Sequence, residues 1–227
     1  MTHALISAAL FWLAMTAPLA AQQKVDLQMV LAIDSSSSVD DREFQLQLKG
    51  LADAFRDRAI VDSIKSGKIG GIAITVMEWS GVGNQKVSIP WTHVHDAESA
   101  GRLASRIEAA GRLVESGSTS LSLALRRAVT LFDNNGFADS RRVIDVSGDG
   151  YNNQAPPASE ARDFAVDQDI TINAVAIENQ VLGLAEYFRA QMIGGLSAFV
   201  EEAADYEDYQ KAIRRKLLRE IQNPPTS

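Results

Sequence analysis

Residues 27–33 ("LQMVLAI") form an almost unbroken apolar run that stops at a carboxylate, Asp34, and is followed by four serines. An apolar run without polar alternation fits a strand buried on both faces, and such strands belong to parallel sheets covered by helices. Two later segments read as further strands, "RRVIDVSG" (141–148) and "ITINAVAI" (170–177). Amphipathic segments alternate with these runs, the pattern of an α/β fold whose mostly parallel central sheet is wrapped by helices on both faces. Sheets of this kind bind ligands at the carboxyl ends of their strands, so the loops after the strands are where chemistry is to be sought.

The remaining segments fill in the order. Asp40, with Glu43 three residues on, makes a capping box that opens a helix running to about residue 58. Residues 69–80 and 85–94, separated by "SGVGN", predict a hairpin, and Pro90 suits the second strand to an edge position. Helices are expected over 97–110 and 120–132, the latter with Leu121, Leu125, Ala128, Val129 and Phe132 on one face, and after "APPASE". "SAFVEEA" predicts a short last strand and "DYQKAIRRKLLREI" a final amphipathic helix. The expected sheet therefore has about six strands, one of them an antiparallel edge strand. No repeat or linker interrupts residues 24–221, so residues 22–227 are expected to form a single domain.

Several side chains read as ordinary surface. Arg214, Arg215, Lys216 and Arg219 give the final helix a basic, solvated face; Glu78 and Glu178, near the carboxyl ends of strands, could stand at the rim of a site but read first as strand-end surface charges. Trp79, Trp91 and Tyr151 are candidates for an aromatic rim that a partner could contact, with Trp79 equally suited to the core.

Composition narrows the function. A net charge of −7 disfavours a phosphate backbone as partner, so no nucleic acid is expected. Residues 1–23 lack Lys, Arg, Asp and Glu, and "ALISAALFWLAM" within them is apolar but shorter than a bilayer span. Followed by "APLAAQQ", it reads as a signal peptide over residues 1–21, cleaved after Ala21, and the mature protein is expected in the periplasm or outside the cell. The chain has no cysteine, hence neither a disulfide nor a lipid-bearing N-terminal Cys. No later run approaches the roughly 20 apolar residues of a membrane span.

Three polar loops sit where chemistry is expected: "DSSSS" (34–38), "GSTS" (117–120) and "SGDG" (147–150). They offer hydroxyls and carboxylates without His or Cys, the oxygen-only set that hard cations such as magnesium prefer. If the first loop leaves its strand extended, Asp34, Ser36 and Ser38 share one face while Ser35 and Ser37 point elsewhere. Blander readings exist for each: a serine turn, a helix N-cap at Thr119, an ordinary Asp-Gly turn at Asp149. A serine hydrolase would need His93 or His95 as its base, because His3 lies in the leader, and the chain has no G-x-S-x-G elbow. "ESGSTS" lacks the Lys of a phosphate-binding loop.

Asp34-x-Ser36-x-Ser38 after a buried strand, Thr119 in its Gly-Ser-Thr-Ser loop and Asp149 in its Asp-Gly turn resemble the metal-ion-dependent adhesion site of von Willebrand factor type A domains. The resemblance covers residues 25–221. "MEWSG", "TSLSLAL", "RRVIDVSGDGYNNQ" and "AIRRKLLREI" resemble more narrowly a bacterial exported subgroup, the domain-of-unknown-function 1194 proteins. The resemblance implies a Rossmann-like sheet carrying a divalent cation, most often Mg2+ with Mn2+ or Ca2+ as alternatives. It implies ligation by Asp34, Ser36, Ser38, Thr119 and Asp149, directly or through water, with one position open for an Asp or Glu carboxylate of a partner protein. A non-enzymatic interaction module follows; some relatives of this class instead serve as adaptors for a partner ATPase. The chain departs from the usual Thr/Ser-Asp-Gly in that Gly148 separates Ser147 from Asp149, and the strand itself holds Asp145, which is expected to pair with backbone or a basic side chain.

Overall fold

A computed structural model describes residues 22–114, 117–138, 140–154 and 156–222. The leader expected over residues 1–21 lies outside the described residues. Six strands form one sheet in the order β4-β3-β2-β6-β7-β8, where β2 is Leu27–Asp34, β3 Ile72–Trp79, β4 Gln85–Val94, β6 Arg141–Gly148, β7 Ile170–Ile177 and β8 Val200–Ala203. A separate two-residue pair joins β1 (Gln23–Lys24) to β5 (Phe137–Ala138). All neighbours in the main sheet run parallel except β3 and β4, whose hairpin places Pro90 on the edge strand with a register shift opposite. There its missing N–H costs no ladder bond.

Among the described residues seven helices cover the sheet: α1 Asp41–Arg56, α2 Arg58–Lys65, α3 Ala97–Glu108, α4 Leu121–Thr130, α5 Ala158–Val166, α6 Leu184–Gln191 and α7 Tyr209–Gln222. The alternation of side chains along each strand divides the core in two. Met29, Leu31, Ile74 and Val175 face α1, α2, α3 and α7 through Phe44, Phe55, Leu103 and Leu217. Val30, Met77, Ile144 and Ile172 face α4, α5 and α6 through Leu125, Ala161 and Phe188. No helix of the described residues is long and apolar enough to cross a membrane.

The chain leaves β2 first toward β3 and later returns to β6 on its other flank, so the order reverses between β2 and β6. The helix after β2 lies on one face and the helix after β6 on the other, which opens a crevice at the carboxyl ends of these two strands. Asp34 ends β2 and Asp149 follows β6 directly. Two helices differ from expectation. The long first helix stops at Arg56 because Asp57 turns extended (φ −68°, ψ 128°) and uses its carboxylate to accept from Ala59 N–H at 2.8 Å, starting α2. α6 was not anticipated; it is eight residues long and follows Gly183, whose φ of +78° suits a residue without Cβ.

Candidate metal centre

Asp34 is completely buried, as is Asp149 apart from a trace. The serine loop is fixed by backbone and side-chain bonds before any ligand enters. Ser35 N–H donates to Trp79 O (2.8 Å), Ser37 N–H to Gly117 O (2.8 Å), and Val39 N–H to Ser36 O (3.1 Å). Gln47 of α1 donates to Asp34 O (3.0 Å), and Gln180, in the loop after β7, to Ser38 O (3.2 Å). The expected capping box is present: Asp40 accepts from Glu43 N–H, and Glu43 accepts from Asp40 N–H (2.9 Å). It turns the chain sharply into α1.

Within this frame the polar atoms converge. Asp34 Oδ1 accepts Ser36 N–H at 2.8 Å, the Ser36 and Ser38 hydroxyls lie 3.2 Å apart, and Ser38 Oγ donates to Asp149 Oδ1 at 2.6 Å. Asp149 N–H approaches Asp34 Oδ2 at 3.4 Å, and Tyr206 OH donates to Asp149 Oδ2 at 3.0 Å. Ser37 faces solvent, while Ser35 is buried with a hydroxyl that finds no partner among the described residues. Four of the five residues singled out in the sequence, Asp34, Ser36, Ser38 and Asp149, thus share one hydrogen-bonded network.

Thr119 stands beside that network. Its backbone and Asn153 clasp each other, Thr119 N–H to Asn153 Oδ1 and Asn153 N–H to Thr119 O, both at 3.0 Å. Its hydroxyl lies near Gly150, where a Cβ would stand 3.7 Å from Thr119 Oγ1. The N-cap of α4 is Ser120, and no side chain caps by hydrogen bond there, so capping does not account for Thr119. Glu78 helps place this loop. It is buried, accepting Leu113 N–H (2.8 Å) and Val114 N–H (3.2 Å) ahead of the Thr119 segment, and burial raises its pKa. It is therefore an internal support for the loop, and the surface reading of Glu78 is corrected; Glu178 is half-buried and accepts Ala185 N–H at the start of α6 (3.1 Å).

Two carboxylates so close, both out of water, repel each other. Burial first, and then the charge of Asp149, push the Asp34 carboxyl up to about 7 from its ordinary 3.8. Tyr206 is pushed up by burial and by the same two carboxylates, which keeps its phenol a neutral donor. Neither Asp34 nor Asp149 has a basic partner among the described residues, whereas buried carboxylates ordinarily do. No three His, Cys, Asp or Glu side chains converge among the described residues. A cation here would accordingly take two carboxylates and fill its shell with hydroxyls and water, a set that fits magnesium or another hard divalent ion.

The departure at Gly148 has a steric cause. A Cβ there would sit 3.2 Å from Asp34 Oδ2 and 3.3 Å from the ring of Trp79, which is wholly buried and donates to Ala32 O at 3.3 Å. Trp79 is core; Trp91 is tied to Leu131 O at the other side of the edge strand and packs on Phe132. Of the three suggested rim aromatics only Tyr151 stands at the loop edge, 4.7 Å from the Tyr187 ring. Ser147 points away from the crevice to Tyr209 OH of α7 (2.9 Å), and Asp145 points the same way, to Lys216 Nζ at 2.5 Å. His93 and His95 stack on each other at 4.6 Å, and His93 pairs with Ala73 near the amino end of β3, far from the serine loop. Sequence reasoning missed Tyr206, Gln47 and Gln180. Only the polar run "YNNQ" (151–154) hinted at the Asn152 and Asn153 supports.

A parallel sheet with helices on both faces, an Asp-x-Ser-x-Ser loop at its switch point and an aspartate after the neighbouring strand define the von Willebrand factor type A fold. The family model described as "Protein of unknown function (DUF1194)" matches residues 24–225, and the chain belongs to that family. Among solved structures, proximal thread matrix protein 1 from the mussel byssus, with a zinc-occupied MIDAS motif, is 17% identical over 87% of this chain and 46% of that one, with a TM-score of 0.63. A von Willebrand factor type A protein from Catenulispora acidiphila is 17% identical over 87% of this chain and 43% of its own, at 0.62. The pilus adhesin SpaC from Lactobacillus rhamnosus GG is 11% identical over 88% and 32%, at 0.56. The chain spans less than half the length of each of these three. No curated protein sequence matches it.

Proposed function

We propose that this protein is an exported, non-enzymatic, metal-dependent protein-binding module. A divalent cation, Mg2+ first, bound by Asp34, Ser36, Ser38, Thr119 and Asp149, accepts an Asp or Glu carboxylate of a partner. The observation that carries the reading is the pair of buried carboxylates with hydroxyls between them and, among the described residues, no basic side chain paired with them. A cation relieves their repulsion, and few charged ligands leave it electrophilic enough to gain from an incoming carboxylate. Exposed apolar side chains on the surrounding loops, Val82, Leu113, Tyr151 and Leu182, would give that partner a surface to bury. Export rests on the apolar leader, and residence in the periplasm or beyond it follows from that leader.

Calorimetric titration with magnesium, manganese and calcium tests the site, with Asp34→Ala and Asp149→Ala beside the wild type. Saturable uptake by the wild type and its loss in both variants is the expected result; equal uptake by all three proteins overturns the assignment. Binding of acidic peptides, measured with and without chelator, tests the carboxylate.

A further inference from the structure

At the opposite pole of the sheet, where β6 and β7 begin, lies a cavity of about 580 Å3, a size that holds small organic ligands. Phe199, Leu196 and Ile170 supply apolar wall, and Arg141, Arg142 and Arg219 bring three guanidinium groups to it. In this acidic chain arginines are mostly matched to carboxylates, as Arg56 to Glu108 (2.6 Å) and Arg214 to Asp57 (2.7 Å). The three in the cavity are not. Arg141 donates to the carbonyl of Glu220 (2.8 Å), Arg142 donates to the carbonyl of Gln168, and Arg219 lies over the Phe199 ring, 3.8 Å from its centroid. Among the described residues none of them is in an ion pair.

Among the described residues the carboxylates in the wall form no ion pair with these arginines. Glu220 is buried; its Oε1 accepts from Lys216 Nζ (2.7 Å) and Asn173 Nδ2 (2.6 Å), while its Oε2 has no hydrogen-bond partner among the described residues. Asp169 is exposed at the rim. Burial pushes the Arg141 guanidinium below its ordinary value, against the opposing pull of the Glu220 and Asp26 charges. The mouth is built rather than loose. Gly194 and Ile172 exchange backbone bonds at 2.8 and 3.3 Å, and Gly195, at φ +92°, lies so close to β7 that a Cβ would stand 2.8 Å from Thr171 Cα.

We propose that this cavity binds a small amphipathic organic anion, a carboxylate or phosphate monoester on an apolar body, its head held by Arg142 and Arg219 and its body against Phe199. The site is independent of the cation centre at the other end of the sheet. Guanidinium groups suit such heads because their planar fork donates paired hydrogen bonds to two oxygens.

Phenyl phosphate is the probe, titrated into the whole chain by calorimetry, with benzyl alcohol and inorganic phosphate as its two halves. The expected result is saturable one-to-one binding of phenyl phosphate, with each half at least about tenfold weaker. The double variant Arg142→Ala/Arg219→Ala weakens binding at least about tenfold, the loss expected when charge-assisted hydrogen bonds go. Arg126→Ala, which removes a guanidinium lying over Phe164 elsewhere, and Asp34→Ala leave it unchanged. Because Arg219 is exposed, Arg219→Gln alone gives a folded protein in which the affinity also falls. No saturable binding, inorganic phosphate binding as tightly as phenyl phosphate, or full affinity in folded Arg219→Gln and the double variant would each overturn the proposal.

Discussion

Two pairs of buried carboxylates lie along β6, and the chain treats them differently. At its carboxyl end Asp34 and Asp149 share hydroxyls and a tyrosine but, among the described residues, no positive side chain. On its α7 face Asp145 and Glu220 share Lys216, itself wholly buried, at 2.5 and 2.7 Å. One pair has a cation of its own on α7; the other, at a crevice, has none among the described residues. The internal cluster fastens α7 to the sheet, aided by Asn173 to Glu220 (2.6 Å) and Ser147 to Tyr209 (2.9 Å).

The largest way to break the internal pair is to remove its cation. Lys216→Met leaves two buried carboxylates facing each other, and a loss of about 3–5 kcal/mol is expected, read as a lower denaturation midpoint in urea. Asp34→Asn should do the opposite in chelator: the amide keeps the Ser36 bond and drops an unbalanced charge, so metal-free stability holds or rises.

Gly148→Ala should cost about 1–3 kcal/mol, since the added methyl meets Asp34 Oδ2 and the Trp79 ring at 3.2 and 3.3 Å and one of them must yield. Thermal unfolding checks it. A smaller effect is expected from Tyr206→Phe, which deletes the donor to Asp149 Oδ2: stability falls by about 1 kcal/mol, and cation affinity, followed calorimetrically, falls by about tenfold.

The internal pair also carries a pH signature. Burial first, and the facing Glu220, raise the Asp145 carboxyl to about 7 despite the pull of Lys216. A carboxyl raised in the folded state contributes stability that is fully present below its ordinary 3.8 and is lost as pH rises through about 7. Urea unfolding between pH 4 and 8 should show that decline in wild type and a shallower one in Asp145→Asn; equal slopes would remove this group from the explanation.

How far the two regions could be read from the sequence follows the same division. β6 and β7 are legible to the residue because their β-branched, apolar-rich segments are bounded by polar loops. The position of the serine loop after β2 and the Asp40 cap are local, and local pattern specifies them, whereas the loop closes as a turn, Val39 N–H to Ser36 O, where an extended course was expected. Lys216 reads in the sequence as one of four solvated cations, and that reading is corrected: it is buried against Asp145, 71 residues earlier in the chain. Tyr206 and Gln47 are invisible in the sequence, and Glu78 is visible only as a strand-end charge, for the same reason: each acts on the site through a contact that only the folded sheet creates.

The comparison is tested most directly by manganese-induced broadening of backbone amide signals. Substoichiometric manganese should erase Ser36, Ser38, Thr119 and Gly150 first and leave the amides around Asp145, Lys216 and Glu220 sharp, with the effect lost in Asp149→Ala. Broadening centred on the Lys216 cluster, or spread evenly over the acidic surface, would contradict a cation held between Asp34 and Asp149.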